Sequence, residues 1–276
     1  MKNLKNIFFH QFSKLYINNK LENNIVVYTA IFNNYDDLKD PLIVDNNVDY
    51  VCFTDCEDVV SDIWKVIKIK ELHRDSRRTA RLIKILGHKI FNKHQINIWI
   101  DGSFLIKGSI KDFVKKFYND SISCFAHPQR NCAYKEIEAS SFKDDPKLFK
   151  LQSQDYKKEG LPKNFGLISS GVLLRNNLNK KISKLMDCWA DQIELYSSRD
   201  QVSFSYCTWK LQEKYFLIPM NIYKNEFFEI NTHSHFFFLN KNGKKIISIK
   251  FLINWLKFMY NYIKFKYSKY FTKGSK

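Results

Sequence analysis

The chain has 276 residues, 45% of them apolar and 26% charged, which suits one large domain or two small ones and excludes a disordered, collagenous or small disulfide-built protein. The unusual numbers are a formal charge of +17 and an aromatic content of 16%. The charge is uneven: residues 231–276 carry ten lysines, no arginine and no acid, which is +10 of the total. Such a block is usual on surfaces facing phosphate, on lipid or nucleic acid, although a Lys/Asn/Ile/Phe bias along the whole chain also inflates lysine.

Residues 1–24 read as a basic N-terminal arm. IVVYTAIF (25–32) is a β-branched apolar run, as expected of a strand buried on both faces, and NNYDDLKDP after it is a loop. VDYVCFTD (48–55) and WKVIKI (64–69) are further strands. Residues 75–91 form a helix with Ala80, Ile83, Ile90 and Phe91 on one side and Arg77, Arg78, Arg81 and Lys84 on a basic face. INIWID (96–101) is a strand stopped by Asp-Gly-Ser. Ser109 caps a helix through Phe117, with Asp112 as its capping-box partner. SISCFAHP (121–128) is a strand, 131–140 and 145–159 are helical, and Gly160 and Pro162 close them. FGLISSGVLLRN (165–176) is a strand pair or one bent strand. Residues 178–196 and 199–211 are helices, and KYFLIPMNI (214–222) is a late strand.

This alternation predicts an α/β fold: a mixed, mostly parallel sheet with helices on both faces, in one domain over 25–240. The six cysteines form no CxxC pair, which argues against a zinc ribbon, and read as small buried hydrophobes. No secretory leader and no charge-free apolar run of about 18 residues is visible.

Residues 241–276 form a basic terminal segment. On a helix over 246–271, Lys250, Asn254, Lys257, Asn261, Lys264 and Ser268 make one polar stripe, and Phe251, Trp255, Phe258 and Tyr262 belong to a wide apolar face. That pattern predicts a helix lying on an anionic membrane surface. The competing reading is a helix packed on the domain or on a dimer partner. Nucleic acid is demoted because arginine, the usual base reader, is absent there.

Several residues stand where chemistry occurs in α/β sheets. Asp101 ends an apolar strand, where a carboxylate can hold a metal or phosphate, or make an ordinary Asx-turn. Arg78, Arg81 and Lys84 can clamp a diphosphate, or form a solvated face. His127, Arg130 and Glu136 lie on and after a strand end. Ser169-Ser170-Gly171 suggests close approach of a ligand or backbone, or a bulge. Asp200 and Gln201 open a helix, where an aspartate is often a cap. His233 and His235 fall on one side of a strand and could ligate a metal.

Together, YTAIFNNYDDLKDP, DYVCFTD, RRTARLIKILGHKIF, INIWIDGS, FAHPQRNCAYKEIEA, SSGVLLRN and SRDQVSFSY resemble a GT-A-type glycosyltransferase. More closely, they resemble the DUF616 family of TOD1/MUCI70-like domains, over about residues 25–235. The resemblance implies a Rossmann-like GT-A sheet and transfer of a sugar from a nucleotide-sugar donor to a glycan or lipid-linked acceptor, in synthesis of a bacterial surface polysaccharide. It places Thr29, Tyr35, Asp55, Arg78, Arg81, Lys84, Ser170, Gly171 and Gln201 on the donor side, and Asp200 as the reacting carboxylate with Glu136 as its alternative. His127 and Arg130 are expected on the acceptor side. Asp101 stands where an acidic metal motif belongs, yet Ser103 replaces the usual second aspartate. A Mn or Mg ion would then need Asp101 with His233 or His235. The expected setting is the cytoplasm, peripheral at the inner face of the cell membrane, with a homodimer possible and no nucleic-acid partner. The alternatives are a sugar-nucleotide nucleotidyltransferase, for which the first loop lacks a phosphate-binding Gly/Lys pattern, or a non-catalytic basic protein that binds membrane or nucleic acid.

Overall fold

The computed structural model describes residues 21, 23–69 and 75–230, together with the backbone of two short strands at 237–239 and 245–247. His233, His235, the arm up to residue 20 and residues 248–276 lie outside the described residues.

Seven strands form the main sheet. In chain order they are β1 (Ile25–Ile31), β2 (Val48–Thr54), β3 (Lys65–Lys68), β4 (Ile96–Ile100), β6 (Ile122–Ala126), β7 (Ile168–Asn176) and β8 (Phe216–Ile218). Their spatial order is β3-β2-β1-β4-β7-β6-β8. Pairing is parallel except at β7, which runs antiparallel to β4 and β6. The mixed, mostly parallel α/β sheet expected from the alternation is therefore present. Two pairs of short strands were not anticipated. β5 (Phe104–Ile106) pairs antiparallel with β9 (Phe228–Ile230), and β10 (Phe237–Leu239) with β11 (Lys245–Ile247). Three residues are too few to show alternation. The helix expected from residue 246 does not begin there, because Ile246 and Ile247 belong to β11.

Among the described residues six helices connect the strands: α1 (Ser76–Ile90), α2 (Ile110–Phe117), α3 (Ala133–Ser140), α4 (Pro146–Glu159), α5 (Lys180–Leu195) and α6 (Asp200–Leu211). Most ends are capped as their residues dictate. Asp75, Ser109, Asp145 and Asn179 each accept a backbone N–H of the first turn, and Gly160 closes α4 at φ 96°, a left-handed conformation that favours glycine. Among the described residues no helix is long and apolar enough to cross a membrane.

The two faces of the sheet are covered unequally. One face packs against α1, α3, α4, α5 and α6 around Trp99, Phe149, Trp189 and Phe204. The other is closed by α2 and the β5–β9 pair around Phe104, Phe113 and Phe228. Strand parity assigns side chains to these faces. On β1, Tyr28 and Ala30 point to the α1 side, so the intervening Thr29 points away from it. On β4, Trp99 faces α1, and Asp101, two residues on, continues on that side. Tyr28 fastens α1 to the sheet: its hydroxyl donates to the Lys84 carbonyl at 2.7 Å. That approach needs Gly87, since a Cβ there would lie 2.0 Å from the phenol oxygen.

Candidate active site

α1 crosses the sheet so that Lys84 reaches the ends of β4 and β7. Its side chain is fully buried, and its ammonium donates to Asp200 Oδ2 at 2.8 Å, Ser170 Oγ at 3.1 Å and Asp101 Oδ1 at 3.2 Å. The Trp99 indole N–H donates to the same Asp101 oxygen at 2.6 Å. Ser170 Oγ donates to Asp200 Oδ2 at 2.9 Å, and the Gln201 N–H to Asp200 Oδ1 at 3.0 Å. One turn before Lys84, the Arg81 guanidinium lies 3.4 Å from Asp200 and 3.9 Å from Asp101. Two cations and two carboxylates thus form a formally neutral centre.

Burial alone would raise the Asp200 pKa, but Arg81 and Lys84 more than offset it and hold the carboxyl well below the usual carboxylate range. The reverse holds for Arg81: burial opposes its charge, and Asp200 and Asp101 raise its pKa despite that. Asp200 is therefore a permanent anion. It starts α6, but its side chain serves the lysine and serine rather than capping the helix.

The centre forms the floor of a cleft of about 260 Å³, lined among others by Tyr35, Asp36, Arg77, Arg81, Trp99 and Asp101. Its position is the carboxyl end of β1 and β4, where open α/β sheets bind ligands. The Tyr35 phenol is pushed up by burial and by Asp36, while Arg81 and Arg77 act the other way.

A second cluster stands beside the first, at the end of β6. Glu136, fully buried in α3, receives Ser140 Oγ at 2.7 Å and Arg199 at 2.6 Å on Oε1, and the Arg130 Nε on Oε2. His127 Nε2 lies 3.6 Å from Oε2. Its Nδ1 accepts the N–H groups of Gln129 and Arg130 at 3.2 and 3.0 Å, so the proton of the neutral ring resides on Nε2. Burial favours protonating Glu136, but Arg199, Ser140 and Arg130 lower its pKa overall.

The structure brings Tyr35, Arg81 and Asp101 to the cleft, places Lys84, Ser170 and Asp200 in the bonded group behind Arg81 and Asp101, and gathers His127 and Arg130 around Glu136; Gln201 joins through its backbone N–H on Asp200. It separates four others from the cleft: Arg78, Thr29, Gly171 and Asp55. Arg78 donates to the carbonyls of Ile193 and Tyr196 and pairs with Asp144 at 3.3 Å; it staples α1 to the end of α5. Thr29 is buried and faces away from α1. Gly171 meets the Phe104 ring, which a Cβ there would approach to 2.7 Å, so its small size serves packing. Asp55 holds the first loop, accepting Asn33 N–H at 2.9 Å and the Cys56 thiol at 3.1 Å. Sequence reasoning missed Trp99, Lys143 and Arg199 as site residues. Only Trp99 carried a signal, since it lies two residues before Asp101 on one strand.

The described residues do not by themselves fit a divalent cation. The Asp101 oxygen that faces the centre is already shared by an ammonium, an indole N–H and a nearby guanidinium, and no group of three His, Cys, Asp or Glu among the described residues could hold a metal ion.

Comparison with known proteins decides the family. The TOD1/MUCI70 glycosyltransferase-like domain matches residues 10–235. The chain belongs to that family. A curated relative, the "Probable hexosyltransferase MUCI70" of Arabidopsis thaliana, is 28% identical over 213 residues, 66% of this chain. The match covers 36% of that longer relative. Among solved structures, the apo WbbM bifunctional glycosyltransferase aligns with a TM-score of 0.49 and 10% identity, over 72% of this chain and 39% of that one. Mouse xyloside xylosyltransferase 1 aligns with a TM-score of 0.43 and 12% identity, over 71% of this chain and 84% of that one.

Proposed function

We propose that the domain transfers a sugar, of hexosyl type, from a nucleotide-sugar donor to an acceptor hydroxyl, with the donor in the Tyr35–Arg81–Trp99 cleft. The observation that carries this reading is the buried anion of Asp200 at the floor of that cleft, held by Lys84, Arg81 and Ser170. In glycosyl transfer, positive charge develops on the sugar ring and negative charge on the leaving diphosphate. A fixed carboxylate beside the ring stabilises the first, and guanidinium and ammonium groups stabilise the second. Asp200 suits the electrostatic role better than proton abstraction, because a carboxyl whose pKa is held so low is a weak base. Glu136, sealed beneath two arginines, acts through them as a positioning residue.

Hydrolysis of a panel of nucleotide sugars tests the reading, with Asp200→Asn as the variant. The expected result is turnover of at least one donor, reduced by about 10²–10³-fold in the variant, the usual cost of losing a fixed stabilising group. Full activity in Asp200→Asn, or a panel in which no donor is bound or hydrolysed, overturns it. The basic aromatic stretch 246–271 supports a further part of the reading, in which the domain works against an anionic membrane carrying a lipid-linked acceptor. Co-sedimentation of the full chain with anionic but not zwitterionic vesicles checks that part.

A further inference from the structure

The neutral centre leaves a question of charge. Lys84 and Arg81 are formally cancelled by Asp101 and Asp200, so the centre can orient a guanidinium toward the donor but offers an anionic substrate no net positive charge. The second cluster is different. Arg130 and Arg199 share the single carboxylate of Glu136, and His127 is neutral. Lys143 follows directly on α3: its N–H donates to the carbonyl of Ser140, whose hydroxyl donates to Glu136 at 2.7 Å, and its ammonium lies over the Phe142 ring at 5.8 Å. Three cations therefore face one acid, a formal excess of +2. Asp144, the acid nearest to Lys143 along the chain, is committed to Arg78 and to the Ser198 N–H at 2.6 Å.

The excess is also presented to solvent. Lys143 is exposed, and the Arg130 and Arg199 side chains keep 27% and 21% of their accessibility; Arg81 of the neutral centre keeps a similar 25%, so the two groups differ in net charge and in the sealed Lys84 rather than in the exposure of their guanidinium groups. The loop carrying Lys143 is fixed. Its N–H donates to Ser140 O at 2.8 Å, its carbonyl accepts from Arg77, and Asp144 ties the loop to the α5–α6 connection. Cations held together in this way repel one another in the free protein, and a bound oxyanion relieves that repulsion.

We propose that Arg130, Lys143 and Arg199, gathered over Glu136, form a binding site for a phosphate or other oxyanionic group of a substrate. The existence of the site is independent of glycosyl transfer. The source of the anion rests on that reading, and is either the donor's diphosphate or an acidic group on the acceptor.

Inorganic pyrophosphate is the probe, titrated calorimetrically into the full chain at low salt. Wild type is expected to bind it, with affinity that weakens as salt rises. Lys143→Gln, at an exposed side chain that leaves Glu136 fully paired, is expected to weaken binding by about tenfold or more, with an unchanged thermal melt. Lys143→Arg is expected to retain most of the affinity. No binding by wild type, or equal affinity in Lys143→Gln, overturns the proposal. Expulsion of pyrophosphate by a saturating nucleoside diphosphate supports the site as the donor's. Simultaneous binding supports it as the acceptor's. Because the titration needs no turnover, a failure of the hydrolysis panel with intact, Lys143-dependent pyrophosphate binding would sink the transferase reading and leave this site standing.

Discussion

Asp200 and Glu136 are built alike and placed differently. Each is a buried carboxylate that takes two cationic side chains and one serine hydroxyl. Around Asp200 one cation, Lys84, is sealed, the other, Arg81, opens on the cleft, and both meet a second acid, Asp101, so the group balances. Around Glu136 the cations reach solvent and gain a third member, Lys143, so the group stays positive. A buried acid can therefore serve two ends. It can be the charge a reaction uses, or it can be the counter-charge that lets several cations share one surface.

Breaking one ion pair in each group should separate them most strongly. Lys84→Met leaves the fully buried Asp200 with Arg81 alone. Removing one partner of a buried pair typically costs about 3–5 kcal/mol, and a loss of that size in urea unfolding is expected. Adding Asp200→Asn to Lys84→Met should recover part of it, because the uncompensated charge is then gone. Arg130→Met should cost less, about 1–2 kcal/mol, since Arg199 still neutralises Glu136 and the lost guanidinium was partly solvated. Equal losses in the two variants would remove the distinction between a sealed and an open group.

How far this was visible in the sequence follows the same divide. The sealed group sits on periodic elements. Alternation in INIWID placed Asp101 at a strand end, the α1 pattern placed Lys84 and Arg81, and Ser170 and Asp200 followed from the motif resemblance. Helical arithmetic also explains where Arg78 lies. Steps of three residues, at about 100° each, regress about 60° around the helix, so Arg78 lies about 120° from Lys84 and meets α5 instead of the cleft. Thr29 points away from α1 for the equivalent reason on a strand, where one residue changes the face. The open group depends on loops. Lys143 and Arg199 lie in connections without period, and only the packing of α3 against α6 brings them beside Arg130. The sheet order was legible as a class, but β7 entering antiparallel between β4 and β6 was not, because pairing partners leave no local pattern.

Acidification should distinguish the groups at a smaller amplitude. The folded-state pKa of Asp200 is depressed, so the unfolded chain takes up the proton first. Its stabilisation is complete above the unfolded value of about 3.9 and is lost as pH falls below it. Glu136 is depressed too and adds loss below about 4.3. Urea midpoints between pH 5 and 3 should therefore fall in wild type and fall less steeply in Asp200→Asn, whose residue cannot titrate. An identical slope in the variant would mean that Lys84 and Arg81 do not hold Asp200 as the geometry indicates.

The smallest expected effect belongs to His127, whose ring faces the open group from β6. Burial lowers its pKa; Glu136 works to raise it, and Arg130, Arg199 and Lys143 lower it further. The unfolded histidine, near 6.5, is thus protonated before the folded one, and this residue's share of stability declines as pH falls from about 6.5 through its lowered folded value. Protonating Nδ1 also removes the acceptor for the Gln129 and Arg130 N–H groups, which loosens the turn that carries Arg130 onto Glu136. Asparagine places a non-titrating oxygen near the Nδ1 position and favours the same turn. His127→Asn should leave the urea midpoint at pH 7.5 within about 0.5 kcal/mol of wild type and flatten its decline between pH 6.5 and 5. His88 and His94, whose pKa values are also lowered by burial, keep a residual slope in both proteins. The difference between the two curves therefore isolates His127. If the curves are parallel, the positive field around Glu136 does not reach His127, and the contrast with the neutral centre rests on Lys143 alone.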